Sequence, residues 1–181
     1  MSLDTMEAIK TRRVAKYYAD KPVSDDKLWT ILEAARWAPT GGNRRKHRFI
    51  CVNDKQLLKQ IKMFSPGMVA GLPAALIIVC IDWNLADDQA IVKTFLESYY
   101  DVGTATQNML LAAHALGLTA GLMTSFSSAA VRVLLNLPES LDPKLFVGVG
   151  YHSEMPPYMP RWPKKKVRVE DLVQWGPFPE D

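Results

Sequence analysis

Two cysteines, Cys51 and Cys80, are all that 181 residues contain, too few for a disulfide framework and without the spacing of a metal site. Each falls in an apolar run that reads as a buried strand, so both are expected as free, buried thiols in a reducing cytoplasm. No apolar run approaches the roughly 18 residues needed to cross a bilayer, and the first residues lack a stretch of signal-peptide character. A membrane is therefore not an expected partner. An excess of charge of one sign is also missing: 22 Lys and Arg face 19 Asp and Glu, a net charge of +3. With basic and acidic residues interspersed, composition calls for no nucleic acid. Neither a Walker loop nor a G-x-G-x-x-G turn between strand and helix occurs, which excludes the common glycine-rich nucleotide folds. No Ser-His-Asp set or carboxylate pair stands out, so the side chains alone offer no hydrolytic machinery.

What is present is the composition of one soluble domain, 48% hydrophobic and 23% charged, long enough to bury most of its apolar surface. The chain is expected to form a single domain over 1–181, with 152–181 as a proline-rich C-terminal arm. Asp4 reads as the cap of a short helix ending near Arg12 or Arg13, Ser24 as the cap of a second, and Asn53 or Asp54 as that of a third. The run Ala74–Asp82 is continuously apolar and β-branched, as in a strand covered on both faces. From about Asp88 to Leu116 no proline interrupts an almost wholly apolar helix, whose polar members Asp101, Thr104, Gln107 and Asn108 then need internal partners. A helix near Ser127–Leu135 and a strand at Leu145–Tyr151 follow. Strands alternating with helices would, taken alone, favour a parallel sheet.

Three features carry chemistry. The stretch Ala38-Pro39-Thr40-Gly41-Gly42-Asn43-Arg44-Arg45-Lys46 ends a helix at proline and opens a glycine loop with an amide that both donates and accepts hydrogen bonds. A solvated basic turn is the plainer account of it. Arg12, Arg13 and Lys16 lie within five residues at a helix end. Such cations either complement the helix dipole or clamp a phosphate. Lys164–Arg168 is a second basic cluster, inside an arm too rich in proline to join a sheet interior. Lacking interleaved aromatics, the clusters suit a small phosphorylated ligand better than a nucleic-acid strand.

The run Thr11-Arg12-Arg13-Val14-Ala15-Lys16-Tyr17-Tyr18, the helix Leu32–Pro39 and Asn43 together resemble the FMN-dependent nitroreductase family. So do Asp101-Val102-Gly103 with Gln107-Asn108, the segment Ala113–Leu118, Val149-Gly150-Tyr151 and the basic tail, in that order. The resemblance implies an α+β, three-layer α-β-α sandwich around a mainly antiparallel sheet, as an intertwined homodimer with FMN at each subunit interface. It implies that Arg12 contacts the FMN phosphate, beside Arg13, and that Lys16 contacts the ribityl or pyrimidine side. Val14 stands where the family commonly has a hydroxyl residue. Asn43 would hydrogen-bond the isoalloxazine, with Arg45-Lys46-His47 in place of the common Q-P-W. Gly121 and Leu122 would offer backbone groups near flavin N5, and Lys166 and Arg168 would grip the phosphate bound by the partner. The activity implied is ping-pong electron transfer from NADH or NADPH to an electron-poor small molecule such as a nitroaromatic or quinone. A flavin-binding storage or sensor protein without turnover is the alternative, and a simple anion- or nucleic-acid-binding protein is a third reading.

Overall fold

The computed structural model describes residues 4–15, 17–69, 71–85, 91–154 and 167–177, giving only the backbone course for 91–97. Helix formation follows local signals. Helix α1 (Thr5–Thr11) starts where the Asp4 carboxylate accepts the amides of Met6 and Glu7, satisfying donors that a helix start leaves free. Asp54 does the same for α3 (Lys55–Met63). Helix α2 spans Asp25–Arg36, and strand β1 (His47–Val52) precedes α3. Strand β2 (Ala75–Asp82) is buried along nearly its whole length. The longest element is α4 (Ile91–Ala115), about 37 Å at the helical rise. Strand β3 (Thr119–Met123), α5 (Ser128–Leu134, capped by Ser127) and β4 (Leu141–Gly150) complete the domain.

The four strands form one antiparallel sheet in the order β1-β2-β4-β3. A parallel arrangement, which alternation alone favours, is not found; β2 and β4 pair directly although α4, β3 and α5 intervene. Strand periodicity then sorts the core into two halves. Ala75, Ile77, Val79 and Ile81 of β2 pack with Ile31 and Ala35 of α2 and Val102, Ala105 and Met109 of α4. Leu76, Ile78 and Cys80 face the other way, against Leu58 and Ile61 of α3 and Val131 of α5. The result is helices, sheet, helices: three layers. Each fully buried isoleucine of β2 contributes roughly 1.5–3 kcal/mol of apolar burial, so β2 is the spine of both halves.

Strand β4 begins at Leu141, four residues before the expected start, and includes Pro143. The register shifts between Val79 and Cys80, opposite Pro143. Such an irregularity tolerates a residue that lacks an amide proton. Cys80 is buried as expected, but Cys51 is exposed, because β1 is the sheet's edge among the described residues and Cys51 opens onto a groove between it and α2. Among the described residues no helix is long and apolar enough to cross a membrane.

Candidate functional site

The chain leaves α1 at Arg12 and runs along the edge of β3. Val14 bridges Ala120 in parallel fashion, and the Ala15 amide donates to the Ala120 carbonyl at 2.9 Å. This approach needs glycine next door: a Cβ on Gly121 would lie 2.6 Å from the Ala15 carbonyl oxygen. By the alternation of an antiparallel ladder, Ala120 and Leu122 turn their backbone groups to the free edge of β3, and Gly121 turns its own toward β4. Val14 and Leu122, at or near that edge, are both about half exposed, at 50% and 46%.

The basic cluster divides in two. Arg13 Nη1 donates to the carbonyls of Lys10 and Arg12 at 2.7 and 2.9 Å, so its charge serves the C-terminal end of α1. Arg12 behaves differently. Its Nη1 is buried and has no hydrogen-bond partner among the described residues. A buried guanidinium nitrogen without an acceptor is costly, and an anion removes the cost. An arginine nitrogen without an acceptor beside an edge strand suits an anionic ligand such as a phosphate. The preceding residue is fixed by α4: the Thr11 hydroxyl donates to the Glu7 carbonyl at 2.6 Å and lies 2.8 Å from His114 Nε2. Its one hydrogen being committed, the hydroxyl accepts from the histidine ring. Lys16 and Lys166 lie outside the described residues. Arg168 is exposed and stands 3.6 Å from Asp171 at a short turn.

The glycine loop is held by α4. Asp101 Oδ1 accepts the Gly41 amide at 2.9 Å, the Thr104 hydroxyl donates to the Pro39 carbonyl at 3.2 Å, and the Asn108 amide donates to the Ala34 carbonyl at 3.0 Å. Three of the polar residues expected to need partners on α4 thus form one stripe facing the end of α2 and the loop. The loop itself is strained. Gly42 has φ 59°, as glycine allows, but Asn43 at 55° and Arg45 at 48° also enter the left-handed region, which costs side-chain-bearing residues energy. Asn43 accepts from Arg45 Nε at 3.2 Å. Lys46 and His47, read from sequence as part of a basic turn, are instead buried at 2% and 7% exposure, because the chain dives inward to begin β1. Burial pushes the His47 imidazole below its ordinary pKa, with the Asp101 carboxylate pulling the other way and Arg48 and Arg45 adding to the fall.

Within one protomer these two groups of residues do not meet. Asn43 and Arg45 are tied to α4 near Asp101 and Thr104, whereas Arg12 is tied near His114, about 15–20 Å further along the helix axis. The sheet gives the same answer. Gly121 is level with Gly148, Leu76 and Val52 across the ladder, while His47, which follows the loop, lies five residues along β1 from Val52. Three strand spacings and five residue rises put the two places about 22 Å apart. Between α2 and β1 runs a groove of about 960 Å³, lined by Leu28, Trp29, Arg36, Arg45, Phe49 and Cys51 among others. Neither this groove nor the buried Lys46 and His47 are foreseen by the sequence. Among the described residues no group of three His, Cys, Asp or Glu side chains is placed to hold a metal.

Comparison with known proteins follows the same lines. The sequence pattern that defines the nitroreductase family matches residues 9–89 and 74–151. A protein of Methanothermobacter thermautotrophicus, provisionally named NADH dehydrogenase/NAD(P)H nitroreductase, is 33% identical over 160 residues, 85% of this chain and 80% of its own length. The NADPH-flavin oxidoreductase of Vibrio harveyi is 26% identical over 180 residues, 94% of this chain and 75% of its own. A crystal structure of a nitroreductase family protein from Clostridium difficile 630 superposes with a TM-score of 0.78 at 27% identity, covering 95% of this chain and 98% of that one.

Proposed function

The chain belongs to the nitroreductase family, and on that premise we propose that this NAD(P)H-dependent oxidoreductase uses FMN and reduces an electron-poor small molecule, a nitroaromatic or a quinone. The observation that carries the cofactor is Arg12, whose buried Nη1 lacks an acceptor beside the Val14 and Leu122 edge. When bound, FMN supplies the redox chemistry, taking a hydride from NADH or NADPH and passing the electrons on in a ping-pong order. The chain's own residues do the rest. Arg12 holds the phosphate, and Arg13 keeps the end of α1 in place by binding its carbonyls. Lys16, placed by the resemblance alone, would set a positive charge beside the pyrimidine side, where a reduced ring is most negative, and so favour reduction. Leu122 would offer backbone groups to the ring, and Asn43 would orient it with its amide. No protein nucleophile or general base is required.

Because Asn43 and Arg12 of one chain are some 20 Å apart by the helix and strand rises, we propose a homodimer in which each site takes Arg12 from one copy and Asn43 from the other. The open side of β1 and the adjoining groove are the surface on which the partner's C-terminal arm, with Lys166 and Arg168, would lie. The arm's sequence from 155 to 166 falls outside the described residues.

Two measurements test this. The purified protein, mixed with FMN and freed of unbound flavin by gel filtration, should stay yellow, be bleached by NADH or NADPH, and recover its colour on adding a quinone; bound flavin that no donor bleaches would mark a storage or sensor protein instead. Co-expression of Arg12→Ala and Asn43→Ala chains tests the shared site. Each variant alone is deficient at both sites, but half of randomly paired dimers would carry one fully intact site, returning about a quarter of wild-type activity. Sites built within one chain would return none.

A further inference from the structure

Helix α4 carries a buried charge that the proposed electron-transfer chemistry leaves unused. Asp101 is 5% exposed. One oxygen accepts the Gly41 amide at 2.9 Å, and the other, Oδ2, is buried without a partner. A carboxylate is an expensive group to bury for a single hydrogen bond. Two more buried atoms without a partner among the described residues, Thr40 Oγ1 and His47 Nδ1, belong to the residues at the two ends of the loop. Between them lie Asn43 and Arg45, with φ of 55° and 48°, backbone angles that persist only where surrounding structure enforces them. Strain concentrated in the loop that carries a proposed ligand contact, and a buried anion fixed to the start of that loop, occur together.

We propose that Asp101 is a positioning residue that clasps the Thr40–His47 loop in its strained form, and so sets where Asn43 meets the flavin of the partner's site. Oδ1 fixes the loop where it begins, at Gly41. The negative charge acts at the far end on His47, which faces Asp101 from α4, Arg48 from its own strand and Arg45 from the loop. Thr104, one turn along α4, secures Pro39 just ahead of it. The clasp rests on the FMN reading for its purpose but not for its existence.

The test compares Asp101→Ala, Asp101→Ser and Asp101→Asn in the full-length protein, with Met109→Ala as a control for general loss of stability, since Met109 is fully buried on the same helix away from the loop. Two quantities are read: exchange of the Gly41 amide without FMN, and FMN affinity with the flavin's visible spectrum. Asp101→Ala should speed Gly41 exchange and weaken FMN by about 10-fold or more, the order expected for losing a charge-assisted hydrogen bond, and should shift the flavin band. Asp101→Ser reads the same loss if the alanine variant does not fold, because the shorter side chain falls back on its own helix. Asp101→Asn keeps an acceptor for Gly41 and should recover most of both. Met109→Ala should leave FMN affinity of the folded protein unchanged. Unchanged Gly41 exchange in the alanine and serine variants, or FMN affinity lost no more than in Met109→Ala, overturns the proposal. Failure of the wild type to bind FMN would overturn the cofactor reading, and Gly41 exchange would still decide the clasp.

Discussion

Replacing Arg12 by alanine should separate the flavin phosphate from every other determinant of binding. In the protein without ligand, Arg12 Nη1 is buried with no acceptor, so its removal takes away an unsatisfied donor and should leave the apo-protein's melting temperature unchanged or slightly raised. With FMN the sign reverses. A charge-assisted hydrogen bond to a phosphate contributes about 1.5–3 kcal/mol, so Arg12→Ala should weaken FMN by about 10- to 150-fold. Linkage converts this into a melt. At free FMN about 100 times the wild-type Kd, binding stabilises the fold by roughly 2.7 kcal/mol, near 5–11 °C for a chain of this size. A variant weakened about 30-fold gains only about 0.9 kcal/mol at the same concentration, or 2–4 °C. The assay is a thermal scan of both proteins with and without FMN, repeated with riboflavin, which has no phosphate. The two proteins should respond alike to riboflavin. An equal defect for both ligands, or an apo-protein strongly destabilised by the substitution, would refute the reasoning and assign Arg12 to the fold.

Three further outcomes are expected. His47 is held neutral by burial, so the unfolded chain binds more protons below the ordinary histidine pKa; stability should fall as pH drops from about 6.5 through the lowered folded value, then level off with respect to this group. Urea midpoints at neutral and mildly acid pH should show this drop in the wild type and a smaller one in His47→Gln. Met109→Ala, which opens a cavity between α4 and β2, should cost about 2–5 kcal/mol, read as a lower urea midpoint at unchanged slope. Deleting the chain after Pro160 should yield a protein with less bound FMN and a weaker dimer by analytical ultracentrifugation; a truncated protein that stays dimeric and yellow would remove the arm from both roles.

The elements were legible where a local signal sufficed. Asp4 and Asp54 are caps in the chain and caps in the fold, Ser24 holds the cap position of α2 without a side-chain hydrogen bond, and the unbroken apolar run of β2 reads as a strand covered twice because both of its faces are buried. Strand direction was not legible from the alternation of strands and helices, and only the family resemblance carried the antiparallel sheet, since pairing of β2 with β4 is decided by packing between segments some 60 residues apart. Pro143 hid the start of β4, and only the irregular pairing opposite Cys80 explains its admission. Cys51 reads as core from its neighbours, yet the open groove between the edge strand β1 and α2 leaves it exposed.

The site divides along the same line between residue type and residue position. Three arginine or lysine residues near α1 look alike in sequence, but the geometry turns Arg13 onto helix carbonyls and leaves Arg12 with an unanswered donor. The signal for Asp101 was present as a charge inside an apolar helix, and the expectation that it needed a partner led to the right question. The answer, Gly41, is 60 residues earlier and unpredictable without the fold. Most consequential is α4, which acts as a spacer. Its N-terminal half holds the Asn43 loop and its C-terminal half holds Thr11, so two motifs that a sequence reader places in one site are kept apart by the length of the helix between their anchors. A reader of one chain cannot say which copy supplies a residue. With the anchors more than ten residues apart along a rigid helix, roughly 15 Å or more, the proposed site draws its loop from a second chain, and on that proposal the length of α4 would bear on assembly as well as on fold.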